Sequence, residues 1–447
     1  MTQPQGRTGS PGWSGRRIGY ERLTIGWQQA SRPASLREHH DVYGPLPAAR
    51  QQGPQDLLDA IAAARLTGRG GAGFPTATKM RAVAGRRGPA VVVANGVESE
   101  PASQKDQALL ARAPHLVLDG ALLAARAVGA DVVHLCLDRT RGHQVDGVRR
   151  AISERERAGL GEVAMLAHGL PSRYVASEET SLIRWLNGGE ARPTTVPPRP
   201  FERGVGRRPT LVDNVETLAH VALIARYGPD WFGQAGYPDA PGTMLITVSG
   251  AVGYPGVYEI EAGRPVGDVL AMCDGNSEHG AVLMGGYFGT WHAARDLARL
   301  PLSAPGLRGA GASPGAGVIF ALPPGRCGLV ETARILGFLA SQSAQQCGPC
   351  SFGLPAVTDD FARLAQGRPD RDVLDRLDRR LGAVTGRGAC RHPDGAARMA
   401  ASALTAFASD ARAHAAGRPC PGAQRRASQA IPASGAATVP WVEDEWR

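Results

Sequence analysis

Apolar residues come in short blocks along the chain, and changes in their period mark the elements. Leu57, Leu58, Ile61 and Leu66 predict a short helix over 51–66. The run Ala90-Val91-Val92-Val93-Ala94 is unbroken, the pattern of a strand buried on both faces. Helical spacing returns over 113–128, Val132-Val133-His134-Leu135-Cys136 predicts a second strand, and 142–157 predicts an amphipathic helix. Further helices are expected after Thr180, through Trp185 and Leu186, and over 210–226. Strands alternating with helices imply a parallel sheet whose ligand loops follow the strands' C-terminal ends. The segment Asn95 to Pro101 lies at such a place.

From about residue 243 the period changes. Met244 to Val248 alternates, Gly250 to Ile260 reads as a turn and a strand, and Val318 to Leu322 reads as one more strand. Together with Gly285-Gly286-Tyr287-Phe288 they predict a small β-rich module containing a flexible loop over 303–317. After Leu329 helical spacing recurs over 330–346, 354–366, 371–382 and 394–413, a terminal bundle. The expected division is a loose N-terminal extension over 1–50, an α/β domain over 51–240, the β module over 241–325, the bundle over 326–413 and a polar tail over 414–447.

Composition alters this picture at three points. No run of about 18 apolar residues is present and the N-terminus lacks an apolar signal region, so the expected location is cytoplasmic or peripheral to a membrane complex, without insertion. The formal charge of +9 comes from scattered arginines with only 5% aromatics, which reads as a solvated surface and not a nucleic-acid interface. Of 50 Lys+Arg only two are lysines, Lys79 and Lys105. A lysine that survives such drift towards arginine suggests a place where a compact point charge is wanted.

Lys79 closes Gly68-Arg69-Gly70-Gly71-Ala72-Gly73-Phe74-Pro75-Thr76, with four glycines in six residues. Glycines permit the positive-φ turns that aim successive N–H groups into one concavity, and Pro75 suits the first turn of a helix. A glycine loop feeding a helix is an anion cradle whose natural guest is a phosphate. Glu178-Glu179 at a helix start are favoured by its dipole. Two of only four asparagines, Asn95 and Asn214, fall in short polar motifs, and their amides suit a flavin ring edge or ribityl chain. Cys347-Gly348-Pro349-Cys350, with Cys390 forty residues on, fits an iron–sulfur site better than zinc or no metal. Cys136, Cys273, Cys327 and Cys420 read as isolated buried thiols.

Taken together, these motifs resemble the flavin-bearing NADH dehydrogenase subunit family of respiratory complex I, which includes diaphorase subunits of hydrogenases and formate dehydrogenases. The resemblance spans roughly residues 50 to 413. It implies a Rossmann-like FMN domain, a ubiquitin-like β-grasp module of the SLBB type and a helical bundle carrying a 4Fe–4S cluster. Gly68, Arg69, Gly70, Gly71 and Lys79 match its FMN-phosphate loop, and Asn95, Glu98 and Glu100 its N-A-D-E-S-E-P segment. Tyr174, Glu178 and Glu179 match Y-x-x-G-E-E-T, Asp213, Asn214 and Thr217 match N-N-V-E-T, and Cys347, Cys350 and Cys390 match three cluster ligands. Glu100 and Glu179 are the expected catalytic acids, the others binding residues. The implied chemistry is hydride transfer from NADH or NADPH to FMN, then single electrons through the cluster to a ferredoxin-like iron–sulfur carrier or other subunits of a redox complex.

The chain departs from the family pattern at several sites. Ala344 stands where a fourth cluster cysteine is expected, leaving Ser343, His392, water or an external ligand for that role, although His392 reads better as a surface residue. Ala82 and Arg199 replace two adenine-stacking phenylalanines, and Arg199 would suit a 2′-phosphate. Val97 replaces an acid and Ser177 a glycine. These departures motivate the alternative of a degenerate, non-catalytic relative that keeps the fold.

Overall fold

A computed structural model describes residues 21–27, 32–46, 53–278, 280–425 and 446–447. Four parallel strands form the first sheet: β1 (Ala90–Gly96), β2 (Ala130–Asp138), β3 (Ala164–Leu170) and β4 (Thr210–Asn214), ordered β3-β2-β1-β4. The order reverses at β1, the place where an open α/β sheet leaves a crevice beyond its strand ends. The layers on it are α1 (Leu36–Tyr43), α2 (Pro54–Ala63), α3 (Thr76–Ala84), α4 (Lys105–Arg112), α5 (Pro114–Val128), α6 (Gly142–Arg157), α7 (Glu179–Leu186) and α8 (Val215–Gly233). The apolar run of β1 is buried throughout, as its pattern predicts. Helices α5 and α8 meet at Gly120, where a Cβ would lie 1.7 Å from the Leu218 carbonyl oxygen, so only glycine permits that approach.

After the small ribbon of β5 (Gly236–Tyr237) and β6 (Ala240–Pro241) comes a five-stranded sheet. Its strands are β7 (Thr243–Gly250), β8 (Gly256–Glu261), β9 (Ala281–Met284), β10 (Thr290–Ala293) and β11 (Val318–Ala321), ordered β10-β9-β11-β7-β8. Parallel β7 and β11 lie inside, with β8 antiparallel on the β7 side and the antiparallel pair β9–β10 on the β11 side, and α9 (Val266–Met272) joins the second strand to the third. That is the connectivity of a β-grasp. Two short helices, α10 (Ala294–Leu297) and α11 (Ala304–Arg308), precede β11. The C-terminal bundle comprises α12 (Gly328–Ser341), α13 (Leu354–Ala365), α14 (Val373–Val384), α15 (His392–Ala406) and α16 (Ala408–Ala415), around Ile335, Phe361, Leu377 and Ala403.

Several expectations change. The helix expected over 210–226 starts late, because residues 210–214 pair with β1 as strand β4. Only Leu211 and Val212 are apolar in that strand, too few to show a strand period beside the helical spacing that follows. The loop over 303–317 contains α11, whose N-terminus is capped by the Ser303 hydroxyl accepting the Gly306 N–H at 3.0 Å. The helix expected over 394–413 breaks at Phe407 into α15 and α16. Within the loose extension expected over 1–50, α1 is held by a Ser35–Glu38 capping box. Residues 22–24 dock through three backbone N–H groups on the Glu259 carboxylate at 2.8–3.1 Å. Within the expected tail, His414 and Ala415 end α16, residues 421–424 form a turn, and Trp446 is buried; residues 1–20, 28–31, 47–52 and 426–445 lie outside the described residues.

Candidate functional site

Parallel pairing places Asn95 beside Asn214 at the C-terminal ends of the two central strands. The Asn95 amide donates to the Ser177 carbonyl at 2.9 Å, and Asn214 caps α8 by accepting the Glu216 N–H at 3.0 Å. The fold thus brings two asparagines, read from the sequence only as members of separate polar motifs, to one polar edge.

The glycine loop lies over that edge, between α2 and α3. Its base closes through the Gly68 N–H on the Phe74 carbonyl at 2.9 Å. The Arg69 N–H donates to the Thr217 hydroxyl at 2.8 Å, and the Arg69 guanidinium to the Thr243 carbonyl at 3.0 Å. Gly71 and Gly73 have φ of 106° and 62°, the positive values that the loop composition implies. Gly70 and Gly71 are exposed, and no acceptor among the described residues takes the N–H of Gly70, Gly71 or Gly73. Pro75 sits one position before the first helical residue, as the cap of α3.

Lys79 reaches back from α3 to the end of β4. It donates to the Val212 carbonyl and lies 3.6 Å from Glu179 and 3.7 Å from Asp213. Asp213 is buried, and its Oδ2 has no hydrogen-bond partner among the described residues. Burial raises its carboxyl to about 6 against the opposing charge of Lys79. A buried, unpaired acceptor beside a bare glycine loop is what a hydroxyl-bearing ligand would satisfy.

The other acids divide by role. Glu178 is the α7 cap, accepting the Thr180 and Ser181 N–H groups at 2.9 and 3.2 Å. Glu179 follows in the first turn, half-buried and facing Lys79. Glu98 has φ of 44° and turns away from the glycine loop, accepting the Ser103 hydroxyl and the Asp106 and Gln107 N–H groups at 2.7–2.9 Å. Its geometry is that of an acid holding the start of α4. Glu100 is buried under Tyr287, accepting the Tyr174 hydroxyl at 2.8 Å and the Tyr287 N–H at 2.9 Å. A Cβ on Gly286 would come within 2.8 Å of that carboxyl.

Burial is the largest influence on Glu100 and lifts it from 4.5 to about 7, against the hydrogen bonds of Tyr287 and Tyr174. A carboxyl raised on folding stabilises the fold fully below its unfolded value, and that contribution is lost as pH rises through the folded value. Relative to Glu100→Gln, the wild type is therefore expected to lose ~3 kcal/mol between pH 4.5 and 7.5 in denaturant titrations. Parallel pH profiles for the two proteins would contradict this environment.

Sequence reading singled out Lys105 but missed its partners. The ammonium is buried between Asp106 at 2.6 Å and Glu216 at 2.8 Å, and Asp106 accepts from the Asn214 amide at 2.7 Å. Burial works to lower Lys105, but the two carboxylates carry it above its ordinary value. It is thus a fixed cation under the asparagine edge. The second sheet's contribution was also missed: the Gly315 backbone lies 3.7 Å from a Cβ placed on Gly71. The only sequence signal was glycine density at 311–317, which reads equally well as a flexible loop.

Tyr174 joins this region to the bundle. Its ring packs edge-on against Phe288, Phe338 and His392, with centroids 4.8, 5.8 and 5.8 Å away. Cys347 and Cys350 precede α13 and Cys390 precedes α15: Cys350 is buried, Cys347 and Cys390 half-buried. Burial, then the charges of Cys347 and Cys390, raises the Cys350 thiol, so the three sulfurs share one electrostatic neighbourhood. Burial also raises Cys390, with Glu178 among the lesser contributors, which puts the α7 cap near the thiols. Neighbouring thiols of this kind suit a metal cluster, which removes their protons and supplies positive charge.

Ala344 is buried with Val175 and Trp446. His392 is buried, not on the surface: its Nε2 pairs with the Leu339 carbonyl at 2.7 Å, while Nδ1 has no partner among the described residues. The Ser343 hydroxyl is likewise buried and unpaired among them. Ala82 is half-buried on α3 and Arg199 is exposed. Val97 is buried, and Ser177 hydrogen-bonds Ser99.

Two family models match the chain: "Nuo51 FMN-binding domain" over residues 61–223 and "NADH-ubiquinone oxidoreductase-F iron-sulfur binding region" over 331–414. The second F-type subunit of the NADH-quinone oxidoreductases of Rhizobium meliloti is 30% identical over 385 residues, covering 82% of this chain and 90% of the relative. The corresponding F-type subunit of Streptomyces coelicolor is 31% identical over 398 residues, covering 86% and 88%. Among solved structures, an NAD+-reducing nickel–iron hydrogenase in the air-oxidized state superposes with a TM-score of 0.77 at 30% identity, covering 89% of this chain and 67% of that chain.

Proposed function

Because this chain belongs to the family of F-type subunits of NADH-quinone oxidoreductases, we propose that it is the nucleotide-oxidising flavoprotein subunit of a multi-subunit redox complex, taking electrons from NADH and passing them through an iron–sulfur cluster. What carries this reading is a glycine cradle at the asparagine edge, whose N–H groups no described residue accepts, together with Cys347, Cys350 and Cys390, whose charges act on one another.

The residues fit an FMN group in its chemistry. The free N–H groups of Gly70 and Gly71, with Lys79 behind them, offer donors and positive charge to a phosphate. Asp213 offers an unused acceptor to a ribityl hydroxyl, and Asn95 and Asn214 supply amides at the strand ends. Bound flavin would accept a hydride from NADH and release its electrons singly. The protein's part is placement: Lys105 holds the asparagine edge, Glu179 on α7 faces Lys79, and Glu178 caps that helix. Glu100, raised to about 7, stands in contact with Tyr174 on the route between flavin and thiols. Its position supports a role in holding that route more than direct contact with nucleotide.

Cys347, Cys350 and Cys390 would hold the cluster through three thiolates. Ala344 leaves the fourth place to another donor, and Ser343 Oγ and His392 Nδ1 are buried atoms without partners near it. Ala344→Cys is expected to raise iron and sulfide per chain in a colorimetric assay. Unchanged content would mean that a fourth ligand already serves. Phe352, two residues after Cys350, is 78% exposed and supports a docking face for a ferredoxin-like electron-accepting subunit.

The test is anaerobic purification and an absorbance spectrum, with iron and sulfide measured, before and after NADH or NADPH. Flavin bleaching by NADH with iron present is the expected result. A preference for NADPH would give Arg199 a role at the 2′-phosphate. A colourless, iron-free protein after cofactor reconstitution would leave only a non-catalytic relative.

A further inference from the structure

We propose that Cys327, His414 and Cys420 form a second metal site, separate from the cluster thiols, which takes a soft divalent cation of the zinc class and ties the chain after α16 to the start of α12. The two cysteines are 93 positions apart and look like unrelated buried thiols in sequence. Folding brings one donor atom from each of the three residues within 4.8 Å of the others. Cys327 Sγ lies 3.9 Å from His414 Nε2. Tetrahedral zinc with ordinary bond lengths separates sulfur and nitrogen ligands by roughly 3.5–3.8 Å, so a small closing movement suffices. Two sulfurs and an imidazole are a donor set for zinc rather than for magnesium or calcium.

The surroundings are those of a ligating histidine. His414 is fully buried, and its Nδ1 lies 3.1 Å from the Leu364 carbonyl, which fixes the proton there and leaves Nε2 a lone pair. That lone pair now accepts the Cys420 N–H at 2.9 Å, which shows that it faces Cys420; metal binding would turn this N–H away. Cys327 occupies the cap position of α12, at the positive end of its helix dipole, which favours a thiolate. Coordination replaces the proton of each thiol: two thiols and a divalent ion give a neutral dithiolate complex and two protons. Cys420 is half-buried and provides the entry side, while water completes the fourth position. Beyond it, Gly422 lies against the residues before α12; a Cβ there would stand 2.8 Å from the Cys327 nitrogen. The cation would fasten this contact at one end of α12, whose other end leads to Ala344 and Cys347.

The test is cobalt titration of the full-length, chelator-treated chain under anaerobic conditions. The wild type should bind one more cobalt than Cys420→Ser and show a thiolate-to-cobalt charge-transfer band that the variant lacks. The band should survive in a chain carrying Cys347→Ala and Cys350→Ala, which removes cluster thiols but not this trio. Zinc should raise the melting temperature of the wild type and not of Cys420→Ser; Cys420→Ala replaces the latter should it fail to fold. Equal cobalt binding by wild type and variant, loss of the band with the cluster thiols, or a Cys327–Cys420 disulfide in the freshly purified protein would each overturn the proposal.

Discussion

Gly70→Val is expected to leave the protein folded and nearly free of flavin. Even a bare Cβ at Gly70 would stand 3.4 Å from Asn214 Cβ, and the two γ-carbons of valine need more room than that. They would enter the space between the loop and the asparagine edge, where the phosphate and ribityl chain are proposed to lie. Losing two hydrogen bonds to a charged acceptor costs ~3 kcal/mol, which weakens binding about 100-fold. The loop is exposed and Gly70 does not have positive φ, so the fold should tolerate the change. Flavin per chain, read by absorbance of the purified protein, is the measurement, with circular dichroism as the control. Full flavin content would place the phosphate elsewhere.

Cys350→Ser is expected to remove most iron while flavin stays. Cys350 is the most buried of the three thiols and lies within the electrostatic reach of both others. Serine is a harder ligand with a far higher pKa, and with Ala344 already lacking a donor only two thiolates would remain. Two thiolates are a poor anchor for a cluster, so iron per chain should fall to a small fraction of wild type. NADH should still bleach the flavin, because the cradle sits on β4, α3 and the glycine loop and not on the bundle. Reduction of an external one-electron acceptor would then separate flavin reduction from onward transfer. Iron content equal to wild type would show that Cys350 is not a ligand.

How much of this was legible in the sequence varied with the reach of the signal. β1 and the helix over 142–157 were read at or near their boundaries, because each carries its own period. The glycine loop was legible because its backbone demands are local: Gly71 and Gly73 do take positive φ. The same reasoning placed Glu178 at a helix start, where it is now seen as the cap. Ligand typing of the cysteines rested on spacing and pointed to Cys347, Cys350 and Cys390, whose charges act on one another in the fold.

The failures share one cause. β4 was read as helix because the distinction depends on pairing with β1, which no local pattern contains. His392 was read as a surface residue, but the packing of Leu339, Tyr174 and Phe288 encloses it. Glu98 and Glu100 stand two positions apart in one motif, yet one holds the start of α4 and the other sits beneath Tyr287. Cys327 and Cys420 read as isolated thiols, and only the return of the chain past α16 brings them to His414.

By itself the sequence determined the parallel α/β core, the β-rich middle, the helical end, the phosphate-type loop and the thiol set. Each is written in a stretch short enough for backbone preference, hydrophobic period or ligand spacing to show. The tertiary structure alone decided which side chains meet: the Asn95–Asn214 edge, the buried Lys105 between Asp106 and Glu216, the Tyr174 bridge and the second thiol–imidazole cluster. Those contacts join residues tens to hundreds of positions apart, and their energies depend on burial and on partners that exist only once the elements have packed.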